Sequence, residues 1–352
     1  MINILNSWFR RYFSDPQAVY LALLLIVGSS IIIFAGGTLL PVIASIVVAY
    51  LLESIVKFLE RRHMPRIYAV TIVFLLFSAA MVLILFGFIP LLVGQIGDFI
   101  QALPKMINSG QQVLMKLPEA YPFVDENQIR RFMSAVGLEI GNVGHNVVTK
   151  SIASLSSVIT LAIYLVLLPL LVFFFLKDKW KILDWFYNFL PEQRSLMIHL
   201  WREMDQQLGN YIRGKVWEIL IVGGVSGVVF AMLGLPYAVL LGVLVGLSVL
   251  VPYIGAVTVT VPVVLVAFFQ WGWTGPFFYL VIAYLVVQVL DGSVLVPLMF
   301  SEVNNLHPIA IIVAVLVFGG LFGFWGVFFA IPLATLVQAL LVAWPRTSHE
   351  PG

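Results

Sequence analysis

The sequence predicts an all-α polytopic membrane protein of about eight transmembrane helices, with broken or re-entrant helices in the C-terminal half. Three observations carry that expectation. Residues 216–345 hold no Lys or Arg, a run of 130 residues with Asp291 near its middle. Of the 352 residues 61% are hydrophobic and only 10% charged, against about 25% charged in soluble domains. Gly and Pro break the C-terminal run at Gly234-Leu235-Pro236, Pro252-Tyr253-Ile254-Gly255, Gly272 to Pro276, Pro297 and Gly319-Gly320. Several of the pieces between are too short to cross alone, and irregular backbone at membrane depth survives only where protein or a watery cavity covers it.

Residues 1–93 read as N-terminal membrane helices of about three spans. Ser14-Asp15-Pro16 is a helix start, and the apolar run Val19 to Ala35 has no small-residue cleavage site, so it reads as an uncleaved first span. Gly36-Gly37 reads as a tight turn, Thr38 to Val56 as the second span, and Tyr68 to Val93 as the third. Residues 94–152 follow as an external excursion in which five basic and five acidic residues balance. Its apolar residues Ile96, Phe99, Ile100 and Leu103 recur at helical spacing, and Pro104, Pro118 and Pro122 divide it into short amphipathic helices. A fourth span, Leu155 to Leu176, lies within residues 153–176. Residues 177–215 then hold seven of the nineteen cations, with Trp180, Trp185, Tyr187, Trp201 and Tyr211 among them, as in cytoplasmic helices at the headgroup layer. Residues 216–345 form the C-terminal membrane region, and residues 346–352 a cytoplasmic tail.

Excess Lys and Arg set the orientation. The N-terminus, the patch Lys57, Arg61, Arg62 and Arg66, and residues 177–215 all belong in the cytoplasm by the positive-inside rule. Arg346 beside Trp344 returns the C-terminus to the same side, which requires an even number of crossings between residues 216 and 345. A net charge of +2 gives no reason to expect nucleic acid, and the absence of Cys excludes disulfides and thiolate metal sites. No cofactor or metal is called for, and membrane lipid is the certain partner.

Asp291 is the first functional candidate, because an intramembrane carboxylate is costly unless paired, hydrated or protonated. Structural helix capping is the competing account. Gln288 lies one turn earlier, and Glu302, Asn304, Asn305 and His307 follow, with Glu302 nearer an interface and His307 at a loop before Pro308. Pro252, Tyr253, Gly255, Gly292 and Pro297 mark broken helices along a substrate path. Gly242 and Gly246, and Gly319, Gly323 and Gly326, fall on shared helical faces suited to close packing. Gly224-Val225-Ser226-Gly227 has the form of an intramembrane serine protease motif, with His307 as the candidate base downstream. In a chain with 27 Gly a chance match is easy, so the chain reads as no enzyme.

Leu233-Gly234-Leu235, Val251 to Gly255, Asp291 to Pro297 and Leu306-His307-Pro308 occur together with Phe174 to Asp178, Tyr211 to Lys215 and Gly319 to Gly326. In this order the set resembles the autoinducer-2 exporter family, most closely its PerM-like permeases. The resemblance covers nearly the whole chain. It implies about eight spans, residence in a bacterial inner membrane, homo-oligomers, and export of a small molecule or cation exchange. Ser301-Glu302 departs from the Gly and basic residue that the family pattern places there. The expected function is therefore a permease or exporter of a small solute, autoinducer-2-like or other, with Asp291 as the candidate for coupling to protons. Monovalent cation/proton antiport and a membrane scaffold that binds other envelope proteins are the alternatives.

Overall fold

A computed structural model describes residues 16–114, 155–188, 195–300 and 306–343, together with Arg131. Every regular element among these residues is helical. Helix α1 spans Pro16–Glu60, and α2, Arg66–Leu83, continues through a π-helical turn at Ile84–Phe88 into α3, Ile89–Leu114. Helices α4 (Leu155–Lys177), α5 (Lys179–Tyr187) and α6 (Ser195–Met232) follow. The C-terminal part holds α7 (Ala238–Ser248), α8 (Ile254–Trp271) and α9 (Gly275–Leu290). A second π-helical turn, Asp291–Leu295, leads into α10 (Val296–Phe300), and α11 (Pro308–Phe328) and α12 (Ala330–Ala343) complete the chain. Among the described residues six helical stretches are long and apolar enough to cross a membrane. Their outer faces carry exposed residues such as Leu75, Leu83, Phe86, Val261 and Leu316, the signature of helices solvated by lipid. The protein is an all-α polytopic membrane protein.

Three sequence expectations change. Gly36-Gly37 makes no turn, because α1 runs unbroken through it and through Pro41. Glycine permits a reversal without enforcing one, and helix keeps every backbone group paired within its own segment. The reversal that placed the N-terminus in the cytoplasm is therefore missing, and residues 1–15 lie outside the described residues. The boundary at residue 93 also disappears, since α2 and α3 form one helical rod that passes Pro104. Residues 115–130 and 132–152 of the excursion, and the tail 346–352 with Trp344, lie outside the described residues. The division at residue 215 falls inside α6, and Tyr211, expected at the headgroup layer, is buried. Trp180, Trp185 and Tyr187 on α5 are exposed.

Both π-helical turns end two residues before a proline, Pro90 and Pro297. A helical proline lacks its N–H and its ring meets the carbonyl four residues back. Here those carbonyls belong to Phe86 and Ser293, each within a π turn. Widening the helix by one residue relieves both clashes and leaves carbonyls less tightly engaged.

Helices α1, α2 and α4 pack through Val56, Val70, Val73, Val172 and Leu176. At their shared end the buried Glu53 accepts from Arg66 at 3.1 Å and Lys179 at 3.0 Å, while Arg66 also bonds Glu60 and donates to the Leu176 carbonyl at 2.6 Å. With Lys57, Arg61, Arg62 and Lys181 nearby in sequence, this is the basic end of the molecule.

The C-terminal part is organised by α6. Four glycines let α7 lie directly on it: a Cβ on Gly242 would come within 2.7 Å of Gly227 Cα, and one on Gly246 within 2.7 Å of the Ile219 carbonyl oxygen. Helix α7, of 11 residues, rises about 16 Å, roughly half of the hydrocarbon thickness. The chain turns through Pro252-Tyr253 and returns along α8, whose Gln270 donates to the Gly234 carbonyl at 2.9 Å. The hairpin thus begins and ends beside the C-terminus of α6, and its apex dips into the bundle. At that apex Tyr253 holds φ 64°, a costly conformation for a bulky side chain. Leu250 packs with Tyr211, Ile311, Phe328 and Ile331, and Val251 packs with Ala314, Val315 and Ala330. Helix α11 folds back on itself at Gly323, φ 61°. Gly319, Gly323 and Gly326 therefore do not share one helical face as expected. Gly326 lies against the Phe318 carbonyl and Gly319 against Val327 across the bend.

The N-terminal helices meet this part at two places. At the basic end Tyr50 donates to the Asp205 side chain at 2.9 Å and to its carbonyl at 2.7 Å, and Arg213 donates to Ser54 at 3.3 Å. At the far end Gln95 on α3 accepts the N–H of Leu240 at 2.8 Å, and Phe99 packs edge-on against Tyr237.

A Cβ on Gly255 would collide with the Ser248 carbonyl, whereas one on Gly224 would meet open space. Gly255→Ala should destabilise the fold by about 1–3 kcal/mol, and Gly224→Ala should be neutral or stabilising by about 0.5–1 kcal/mol. Thermal unfolding of the lipid-reconstituted variants, followed by tryptophan fluorescence, checks both.

Candidate functional site

Lys215 and Glu218 sit three residues apart on α6, so both project from one face of the helix. Their side chains form an ion pair, Nζ to Oε2 2.8 Å, and only 4% and 2% of each residue is exposed. Opposite them runs α9, on which Tyr284, Gln288 and Asp291 recur at i, i+4 and i+7 and therefore share a face. The Tyr284 hydroxyl lies 3.0 Å from the Thr260 hydroxyl of α8, and its ring packs beside Phe230 of α6. Asp291 stands at the first position of the π turn, 8% exposed, within electrostatic reach of both Lys215 and Glu218.

Three atoms in this part of the bundle are buried without a hydrogen-bond partner among the described residues: Asp291 Oδ1, Gln288 Nε2 and Ser226 Oγ. Orphaned buried polar atoms are rare in native folds and call for an explanation. Ser226 lies in the apolar C-terminal part of α6, Gln288 in the otherwise apolar α9, and Asp291 at the start of the π turn that follows it. Among the described residues the site has two carboxylates and one cation, so these three carry one negative charge in excess when all are ionised. A buried charge in that state is expensive, which favours uptake of a proton or another positive group.

The structure brings Gln288 and Asp291 to one face and adds Tyr284, Thr260, Lys215 and Glu218. The last two went unremarked in sequence. Lys215 closes a cation-rich stretch and reads as interfacial, and Glu218 follows it in the apolar run. Their signal was an opposite-charge pair at i, i+3 on the border of a membrane segment. His307 lies elsewhere in role: exposed, it caps α11, its Nδ1 accepting from the Ile309 N–H at 3.3 Å. Glu302, Asn304 and Asn305 lie outside the described residues. Pro252, Tyr253 and Gly255 form the apex of the α7–α8 hairpin, whereas Gly292 and Pro297 do not break a helix as expected: they lie in the π turn and the helix after it, inside one continuous helical stretch from Gly275 to Met299, because the π turn accommodates the proline. A shallow apolar depression of about 270 Å³ lined by Ile282, Leu285, Val286, Val289 and Leu290 lies on α9. By helical spacing it faces away from Asp291, and it offers no polar group to a solute.

A family model for AI-2E family transporters matches residues 20–346. The chain belongs to the AI-2E transporter family. It is 46% identical over 346 residues to PerM of Escherichia coli (strain K12), which carries a permease name, covering 98% of both chains. It is 24% identical over 315 residues to YrrI of Bacillus subtilis (strain 168), which carries a transport-protein name, covering 88% of each. It is also 24% identical over 309 residues to TqsA of Escherichia coli (strain K12), named an AI-2 transport protein, covering 88% of this chain and 86% of the relative. Membership supports a transporter role for this multi-pass membrane protein.

Beside the polar site the buried Tyr211 hydroxyl donates to the Phe328 carbonyl at 2.9 Å, tying α6 to the junction of α11 and α12. Tyr211→Phe strands that carbonyl and should destabilise the protein by about 1–3 kcal/mol, read as a lowered unfolding midpoint in lipid nanodiscs.

Proposed function

We propose that this AI-2E family member exports a small polar solute, autoinducer-2 or a compound like it, across the bacterial cytoplasmic membrane with a proton coupled through Asp291. The observation that carries this reading is the partnerless, buried Oδ1 of Asp291 at a π-helical turn within a continuous helical stretch. An intramembrane carboxylate marks an ion or substrate path by default, and discontinuous helices are a recurrent way to build such paths. The α7–α8 hairpin and the bent α11 supply that discontinuous backbone next to α6 and α9. The basic end faces the cytoplasm by the positive-inside rule, which puts the Tyr50–Asp205 contact on that side and the Gln95–Leu240 contact outside. The extensive exposed apolar surface of α1 and α2 suits lipid and a homo-oligomer.

Monovalent cation/proton antiport is the second reading, favoured by the single negative charge in excess at the site. Both readings require Asp291. In liposomes with an imposed pH gradient, addition of autoinducer-2, Na+, Li+ or K+ in turn should provoke proton flux through the native chain with one class of solute. The flux should fall to background in Asp291→Asn. Undiminished flux from correctly folded Asp291→Asn removes Asp291 from the mechanism.

A further inference from the structure

Lys215 and Glu218 have no part in the coupling reading, yet they are the most deeply buried charged residues among those described. An ion pair on one helix face usually lies at a surface, where it contributes little. Burying one costs several kcal/mol per ion before the attraction offsets it, so as a packing device it is no better than two apolar residues. A third ionisable group, Asp291, is buried on the π turn that packs against α6 and stands within electrostatic reach of both members. Among the described residues the other elements around the site add no charge to it: α7, α8, α10, α11 and α12 contain no Asp, Glu, Lys, Arg or His, and Glu302, between α10 and α11, lies outside the described residues. Tyr211 beside Glu218, and Tyr284 on α9, are the remaining titratable neighbours.

Among the described charges, neutrality then sets the composition of the site. One lysine cation balances one carboxylate, and the other carboxyl must hold a proton or face a positive ligand. Two arrangements satisfy this. In one, Lys215 pairs with Glu218, as the 2.8 Å contact shows, and Asp291 carries the proton. In the other, Lys215 pairs with Asp291 and Glu218 carries the proton. A lysine ammonium is a compact charge on a flexible four-carbon stem, suited to move between two acceptors. The orphaned Oδ1 of Asp291 is the acceptor left open in the first arrangement.

We propose that Lys215 is a shared counter-cation that pairs with whichever of Glu218 and Asp291 is ionised, while the proton rests on the other. This rests on the reading of Asp291 as a proton carrier and adds Glu218 as its exchange partner. The interconversion breaks one carboxyl O–H bond and forms another: the proton leaves Asp291 for Glu218, and the Lys215 hydrogen bond passes from Glu218 to Asp291. Lys215 keeps its three hydrogens throughout, and the site stays neutral.

The test needs no transported solute. Infrared absorption of protonated carboxyl groups is followed against pH in the full-length protein in lipid bilayers, with the Asp291 band identified by its loss in Asp291→Asn. Glu218→Gln and the double variant Lys215→Gln/Glu218→Gln each leave Asp291 as the one carboxyl of the site and differ only in the lysine. If Lys215 reaches Asp291, the ionised form is stabilised in Glu218→Gln and not in the double variant. The midpoint of the band should then lie about 1–3 pH units lower in Glu218→Gln than in the double variant. Coincident midpoints overturn the proposal, as does a native protein in which no protonated band is lost with Asp291→Asn. If Glu218→Gln fails to fold while the double variant folds, Lys215 has found no second acceptor, and the proposal is equally overturned. The coupling reading is judged separately by liposome flux, so a midpoint separation without coupled flux would retain the shared lysine and discard the coupling.

Discussion

Close contact of backbone on backbone between α6 and α7, at Gly223, Gly227, Gly242 and Gly246, holds the C-terminal part together. Helix α7 is too short to cross a bilayer, and the turn after it holds a tyrosine at positive φ. Lipid cannot hydrogen-bond such a turn, and protein buries Leu250 and Gly255 on either side of it while the Tyr253 side chain stays exposed. The glycine seam places α7 deep against α6, and the apex then lands among Tyr211, Ile311 and Phe328. Helix α8 returns beside α7 and brings Thr260 to Tyr284, which aligns α9 so that Gln288 and Asp291 face the interior. A side chain at Gly242 or Gly246 would lift α7 off α6 and disturb each later step.

How far the sequence foretold this depends on the kind of signal. The membrane class, the helical content and the breaks at Gly234, Pro252 to Gly255 and Gly272 were legible because composition and backbone-limited residues act locally. Asp291 stood out because charge is rare in that run. The continuity of α1 through Gly36-Gly37 was not legible, since glycine admits both helix and turn and only the surroundings decide. The fold of α11 at Gly323 was hidden for a related reason: Gly319, Gly323 and Gly326 have the spacing of a packing face, and spacing is silent about which glycine adopts positive φ. Lys215 and Glu218 were missed because a window average assigns a residue to the segment around it, whereas burial of an ion pair depends on a helix distant in sequence.

The two ion clusters differ in a way that matches their positions. Around Glu53 the partners Arg66 and Lys179 each open a helix, both are partly exposed, and with Glu60 the cluster holds two cations against two carboxylates. Such a cluster clamps helix ends and has ample hydration to settle its charge. Around Asp291 carboxylates outnumber cations and all three groups are buried. The first arrangement is tolerant of small shifts, and the second is sensitive to the gain or loss of a single proton.

The bond from Leu240 N–H to Gln95 bears on how the molecule is assembled. The opening turn of any helix leaves N–H groups with no partner in the helix itself, and in α7 one of these is satisfied by a side chain roughly 145 residues earlier in the chain. The re-entrant hairpin thus lacks a complete set of internal partners. Its position in the folded protein is tied to a helix synthesised long before it, so one of the hairpin's backbone partners is supplied by the N-terminal half.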